Sequence, residues 1–270
     1  MDGYIPSGLT PKKSFGQNFL VDEKVVADLV AAANLTREDV VVEIGAGTGV
    51  VTKELAKRAG KVLAFELDCD LIPVLEKNLS GFDNVKILNE DFLRSSPHHL
   101  FTSSSQLYKI VGSIPYQITS PLIHKLLTLE PKPTLVVLLI QKEVAEKITA
   151  QPPKATYLSN IVKLFGSIEI VHLVPKTAFW PVPAVDGAIV KIVLGVPPLK
   201  SPQAAILRIY ENLKIENFLM FLHQGFKHPR KMLRTKFDPP DLEKCGIAST
   251  RRAQTLEFDE WLKLYEWYNQ

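Results

Sequence analysis

From Val40 onward, short apolar runs and amphipathic stretches take turns, and that alternation limits the possible folds more than any other feature of the chain. VVVEIGAG (40–47) leads into VVTKELAKRAG (50–60), and KVLAFELD (61–68) into CDLIPVLEKNL (69–79). VKILNED (85–91), YKIVGSI (108–114), TSPLIHKLLTL (119–129), TLVVLLIQ (134–141) and KEVAEKITA (142–150) continue the rhythm. Crossovers between parallel strands are right-handed and lay helices on both faces of the sheet. The pattern predicts a doubly wound α/β domain.

The rhythm changes at LFGSIEIVHLVP (164–175) and DGAIVKIVL (186–194), two alternating β-branched runs joined by the Pro-rich KTAFWPVPAV (176–185). They predict a long hairpin closing one sheet edge. GVPPLKSP (195–202) reads as a linker. Beyond it the pattern is helical only: AAILRIYENL, IENFLMFLHQGF, PRKMLRTKF with Pro229 in a first turn, DLEKCGI and FDEWLKLYEWY. The expected organisation is an α/β domain over 1–197 and a small all-helical domain over 198–270.

The composition, 46% hydrophobic and 23% charged, is that of an ordinary globular chain. No apolar run approaches the roughly 20 residues that cross a bilayer, and MDGYIPSGLTPKKSFGQNFL lacks a basic segment leading into an apolar one. The reading is a soluble, unexported protein with no membrane partner. Cys69 and Cys245 lie far apart without metal-ligand spacing, which fits a reducing cytoplasm and packing roles, with no metal. Net charge is +3, a slight bias whose distribution says more than its size. Between Glu216 and Asp238 no acid occurs, while Lys227, Arg230, Lys231, Arg234 and Lys236 cluster with His223 and His228. Such a patch suits phosphates, with a solvated helix face as the equal alternative.

VEIGAGTG places Glu43, Gly45, Gly47 and Gly49 where the first strand turns into its helix. Glycines there let a ligand approach the backbone and the helix N-terminal amides. The third glycine comes one residue earlier than in G-x-G-x-x-G, so the turn suits an uncharged or carboxylate-bearing nucleoside better than a dinucleotide pyrophosphate. Glu66 ends the second strand, where a carboxylate takes ribose hydroxyls. Asp91 ends the third, where an acceptor meets an adenine edge. Either acid alone reads as a solvated strand end. Together with the turn they gather at the carboxyl ends of successive parallel strands, where open α/β sheets bind ligands.

GSIPYQITSP (112–121) ends the fourth strand. Methylating an exocyclic adenine amine is hindered because its lone pair is delocalised into the ring. Acceptors that bond the amine hydrogens draw the nitrogen toward a tetrahedral geometry and free that pair. The Ser113 hydroxyl and the Ile114 carbonyl are such acceptors, Pro115 fixes the turn, and Tyr116 offers a flat face to a base taken out of its stack. A Pro-containing strand exit with a packed tyrosine is the bland reading. Phe179 and Trp180, in a Pro-stiffened loop, are also held ready to stack, although plain hairpin packing is a substantial alternative for Trp180.

From about Lys13 to Leu262 the chain resembles the KsgA-type ribosomal RNA adenine dimethyltransferases. The motifs that carry the likeness are SFGQNFL, VEIGAGTG, FELD, NEDF, GSIPYQIT, AFWPVPAVDGAIV, RKMLR and RRAQTL. The resemblance implies a Rossmann-like S-adenosylmethionine-dependent methyltransferase fold carrying a helical RNA-binding domain. It implies dimethylation of the N6 amines of two adjacent adenosines in a hairpin near the 3′ end of small-subunit ribosomal RNA. That RNA would be met within an immature 30S-type subunit, by a cytoplasmic monomer. Position by position it implies Asn18 and Leu20 in a segment folded over the cofactor, with Gly45, Gly47, Glu66 and Asp91 as further cofactor contacts. Ser113 takes the acceptor position, beside the cofactor as well as the target, with Ile114, Pro115 and Tyr116 next to it and Phe179 on the opposite side of the flipped adenine. Lys227, Arg230, Lys231, Arg234 and Arg251 would hold RNA phosphates outside the active site. The family usually has Asn where this chain has Ser113, and often Asn where it has Gln117. A hydroxyl still offers acceptor lone pairs, with shorter reach. Two other readings share these motifs: an Erm-type enzyme acting on large-subunit RNA, and a noncatalytic RNA-binding assembly factor on the same fold.

Overall fold

A computed structural model describes residues 9–95, 107–115, 118–194 and 215–269. The chain divides into two compact units, Met1–Ala145 with Ile168–Gly195, and Glu146–Ser167 with Val196–Gln270.

The first unit is built on a seven-stranded sheet. In chain order its strands are β2 (Val40–Ile44), β3 (Lys61–Phe65), β4 (Val85–Leu88), β5 (Tyr108–Ser113), β6 (Leu135–Gln141), β7 (Gly166–Val174) and β9 (Gly187–Leu194), and across the sheet they run β4-β3-β2-β5-β6-β9-β7. Strands β4 to β6 along this order pair in parallel, and β9 is antiparallel to β6. β7 and β9 lie side by side at the edge, as the alternating runs predict. The strand order reverses at β2, so the loops leaving β2 and β5 diverge and open a crevice at their carboxyl ends. Apolar residues from α1 (Glu23–Ala32) and α2 (Val50–Ala56) fill one face, among them Val25, Val26, Leu29 and Leu55 against Val41, Val111 and Val137. Each such side chain contributes about 1.5–3 kcal/mol by leaving water. α3 (Ile72–Leu79) sets Leu75 and Leu79 against Ala46 and Ala64.

The sequence reading passes over α1. Its signals were present: Asp22 caps the helix by accepting from the amides of Lys24 and Val25, and the buried residues recur at helical spacing. A two-stranded ribbon also lies outside the pattern, with β1 (Phe19–Leu20) antiparallel to β8 (Phe179–Trp180). It ties the N-terminal segment to the Pro-rich connection.

In the second unit, the helix Tyr157–Phe165 begins with a capping box between Thr156 and Ser159. The expected boundary at 197/198 therefore does not match the division into compact units. The Ala155 amide donates to the Gln254 carbonyl and Tyr157 stands edge-on to His223, which attaches this segment to the C-terminal helices. The helix Ile215–Phe226 packs Phe218, Phe221 and Phe226 against Trp261 and Tyr265 of the helix Phe258–Tyr268. PRKMLRTKF is not a helix. It is a turn, a bridge from Met232 to Arg252 and a short 3-10 segment at Leu233–Thr235, because the amides of Leu233 and Arg234 donate to the carbonyls of Arg251 and Ser249 and so are taken from a continuous helical ladder. The linker GVPPLKSP and AAILRIYENL lie outside the described residues.

Candidate active site

The turn from β2 into α2 is held open by backbone geometry. Gly45, Gly47 and Gly49 have φ of 77°, 60° and 85°, a region that favours glycine. A Cβ on Gly45 would lie 3.4 Å from the Ser113 carbonyl oxygen, so the turn and the end of β5 are in close contact. The amides of Gly45 and Ala46 both donate to the Phe65 carbonyl, and that of Gly47 donates to Glu66 Oε2 at 2.8 Å. The other Glu66 oxygen accepts from the Asp68 amide at 2.8 Å. Burial pushes the Glu66 carboxyl up, while the Asp68 and Gly47 amides oppose the shift. Each oxygen keeps a further lone pair for a ligand hydroxyl.

Below the turn, Glu43 is 1% exposed and its Oε2 has no hydrogen-bond partner. Burial pushes its carboxyl up to about 8, and the nearby Glu66 charge adds to the effect. At the end of β4, Asp91 accepts from the Leu93 amide at 2.9 Å and pairs with Arg94 at 3.5 Å. Phe92 beside it stands edge-on to Phe65 at 5.2 Å, forming an apolar wall.

Ser113 and Ile114 leave the sheet at the end of β5, with the Ile114 amide donating to the Leu139 carbonyl at 3.0 Å. Among the described residues the Ser113 side chain makes no hydrogen bond, so its lone pairs are available. Tyr116 and Gln117 lie outside the described residues. Gly112 cannot be replaced without movement, since a Cβ there would meet the Ile44 carbonyl oxygen at 2.7 Å.

These groups share one cavity of about 270 Å³. Gly45, Gly47, Glu66, Asp91, Ser113, Ile114, Pro115 and Phe179 line it, as does Asn18, whose side-chain amide donates to the Gly16 carbonyl. Leu20 is not on this wall. It is buried in the α1/α2 core and borders a smaller adjacent cavity, and Phe19 takes the place beside the ligand space.

Sequence reasoning missed Asp68. It is 3% exposed and accepts from Lys12 Nζ at 2.5 Å and Gln17 Nε2 at 2.7 Å. Burial works to raise its carboxyl, but these bonds prevail and hold it below the usual carboxylate range. Asp68, Cys69 and Asp70 are close enough for a metal, yet Lys12 Nζ already meets Asp68 and Asp70 at 2.5 and 2.6 Å.

In the second unit Lys227, Arg230, Lys231 and Arg234 are exposed. Lys236 donates to the carbonyls of Gln224 and Gly225 at the end of their helix, and besides burial the charges of Lys227 and Lys231 push its ammonium down. Arg251 differs from the rest. Its guanidinium holds both Glu260 oxygens and the Thr255 carbonyl, so it is committed to the fold and not presented as a free cation.

Residues 8–270 match the family model described as ribosomal RNA adenine dimethylase. A ribosomal RNA small subunit methyltransferase A of Dehalococcoides mccartyi is 36% identical over 274 residues, covering 98% of this chain and 89% of that one. One from Staphylococcus aureus is 34% identical over 276 residues, covering 96% and 90%. Among solved structures, a dimethyladenosine transferase from Plasmodium falciparum superposes with a TM-score of 0.78 at 25% identity, covering 93% of this chain and 97% of that one. The 23S rRNA methyltransferase ErmE gives 0.71 at 30% identity, covering 94% and 100%.

Proposed function

The chain belongs to the ribosomal RNA adenine dimethylase family, and from that premise we propose that it dimethylates the N6 amines of two adjacent adenosines in the hairpin near the 3′ end of small-subunit ribosomal RNA. The observation that carries the reading is one cavity lined at once by Ser113 and Ile114 at the end of β5, by Phe179, and by Glu66 and Asp91. The methyl donor is S-adenosylmethionine, which when bound supplies an electrophilic methyl on a sulfonium sulfur.

The residues present fit that donor. Glu66 has lone pairs to spare for ribose hydroxyls, Asp91 offers an acceptor to an adenine edge, and the glycine turn leaves the backbone open. Ser113 Oγ and the Ile114 carbonyl accept the hydrogens of the target amine and localise its lone pair. Phe179 packs on one face of the flipped base and Tyr116 serves the other. Lys227, Arg230, Lys231 and Arg234 hold RNA phosphates, while Arg251 supports the turn that carries them. RNA shape dominates this recognition, since side chains read A-form grooves poorly.

The substrate is the incompletely assembled small subunit, met in the cytoplasm by a monomer. No helix among the described residues is long and apolar enough to cross a membrane. Incubating the protein and labelled S-adenosylmethionine with purified immature small subunits and with large subunits tests the reading. Label in adjacent adenosines of the small-subunit RNA is the expected result. Label confined to the large subunit would instead assign the Erm-type activity of the ErmE neighbour.

A further inference from the structure

The segment that borders the cavity on its N-terminal side is fastened at two points of different chemistry. One is the backbone pairing of β1 with β8, extended by the Val21 amide donating to the Ala178 carbonyl at 2.9 Å. The other is made of side chains. Asp68 Oδ1 receives Lys12 Nζ at 2.5 Å, Asp68 Oδ2 receives Gln17 Nε2 at 2.7 Å, and Gln17 Oε1 receives the Lys12 amide at 2.7 Å. Lys12, Gln17 and Asp68 therefore close a ring across 56 positions of sequence. Residues from Ser14 to Phe19, which border the cavity, lie within or just beyond this ring. Gly16, at φ 61°, supplies a left-handed turn inside it. Asp68 is also coupled to the ligand wall, because its own amide is the donor to Glu66 Oε1.

We propose that Asp68 is a positioning residue that latches the Lys12–Asn18 segment over the cavity and sets how long the cofactor stays bound. The proposal rests on reading the cavity as the S-adenosylmethionine site. A ladder of backbone bonds at β1 keeps one end of the segment in place. The ionic ring at the other end releases by breaking a few side-chain bonds, so ligand exchange needs no disruption of the sheet. The cation of the ring is half-exposed and its anion is buried, so losing Lys12 leaves a buried carboxylate short of a partner. Lys12 also approaches the Phe15 ring to 5.6 Å, drawing a cavity-bordering residue toward the latch.

The test compares wild type with Asp68→Asn, Lys12→Gln and Lys12→Arg in the full chain, reading dissociation of labelled S-adenosylmethionine and, without cofactor, amide hydrogen exchange over residues 12–18. Asp68→Asn and Lys12→Gln should each release the cofactor about tenfold faster or more, the scale of one charge-assisted hydrogen bond. Both should also speed exchange across the segment, the double variant should add little to either single one, and Lys12→Arg should behave as wild type. Lys12→Gln keeps the test decisive if Asp68→Asn folds poorly. Unchanged release and exchange in both, or a Lys12→Arg variant as defective as Lys12→Gln, would overturn the latch. If wild type binds no S-adenosylmethionine, the functional reading fails, and the exchange measurement alone decides the latch.

Discussion

Glu66 Oε2 accepts the Gly47 amide at 2.8 Å, which joins the end of β3 to the glycine turn of the neighbouring strand. Replacing Glu66 by Ala removes that acceptor and the one facing the Asp68 amide, and also the group proposed to meet ribose hydroxyls. Hydrogen bonds to charged groups contribute about 1.5–3 kcal/mol. Titration calorimetry should show S-adenosylmethionine binding weakened by about thirtyfold, which corresponds to about 2 kcal/mol. Affinity within threefold of wild type would remove Glu66 from the cofactor site.

Glu43 gives a pH signature. Its folded-state carboxyl is pushed from 4.5 up to about 8, so the folded protein holds a proton that the unfolded chain releases. Stability from this group is fully present below about 4.5 and is lost as pH rises toward 8, because the folded state binds more protons across that window. Glu43→Gln, an isostere of the protonated form, should melt close to wild type at pH 5. It should melt several degrees above wild type at pH 8.5. A difference that stays constant between those two pH values would show that Glu43 does not titrate in this window.

Gly112, the first residue of GSIPY, is fixed by its neighbour. A Cβ there would lie 2.7 Å from the Ile44 carbonyl oxygen and 2.8 Å from Ile114 Cδ1, so Gly112→Ala must push β2 and β5 apart. Overpacking of this kind costs about 1–3 kcal/mol. Urea unfolding should shift to a lower midpoint by a corresponding amount, with methyl transfer falling as well because Ser113 moves with the strand. An unchanged midpoint would mean that the two strands accommodate the methyl group freely.

Much of the site was readable because chemistry in an open parallel sheet collects at strand ends, and strand ends follow from local pattern. Glu66, Asp91 and Ser113 each terminate an apolar run, and the cavity brings all three together. What escaped depends on partners remote in sequence. Nothing near Asp68 announces that it meets Lys12, and nothing in AFWPVP announces pairing with Phe19 and Leu20. PRKMLRTKF reads as a helix by composition, yet its backbone groups are drawn to 249–252. The helix Tyr157–Phe165 was obscured for a different reason: YLSNIVKLF runs directly into the β-branched GSIEIV, whose Gly166 is the only break, so two periodicities merge.

Ser113 ends β5 on the lining of the cavity, where the proposed reaction needs an acceptor for the target amine. Ser113→Ala deletes one of the two acceptors while leaving the Ile114 carbonyl, and one neutral hydrogen bond contributes about 0.5–1.5 kcal/mol. Single-turnover methylation with saturating cofactor should slow by about tenfold. Ser113→Asn, with longer reach and a carbonyl acceptor, should match or exceed wild type, most visibly in the second methylation. If the Ala variant kept the wild-type rate, the hydroxyl would have no part in the chemistry.

Arg251 and Arg230 offer a way to separate support of the fold from the proposed RNA contact. Arg251 is bound to Glu260 and Thr255 within the second unit, whereas Arg230 is exposed beside Lys231. Breaking the partly buried Arg251 pair leaves Glu260 with the Glu257 amide but no cation, so Arg251→Gln should lower the melting temperature. It should leave the salt dependence of RNA binding near that of wild type, because no phosphate contact is lost. Arg230→Gln should do the reverse, leaving melting unchanged and reducing the slope of log affinity against log salt by about one phosphate contact. Measuring binding to small-subunit RNA from low to moderate salt for both variants distinguishes the two roles. If Arg251→Gln flattened the salt slope without affecting melting, the ion pair would have to open when RNA binds, and Arg251 would rejoin the phosphate-binding set.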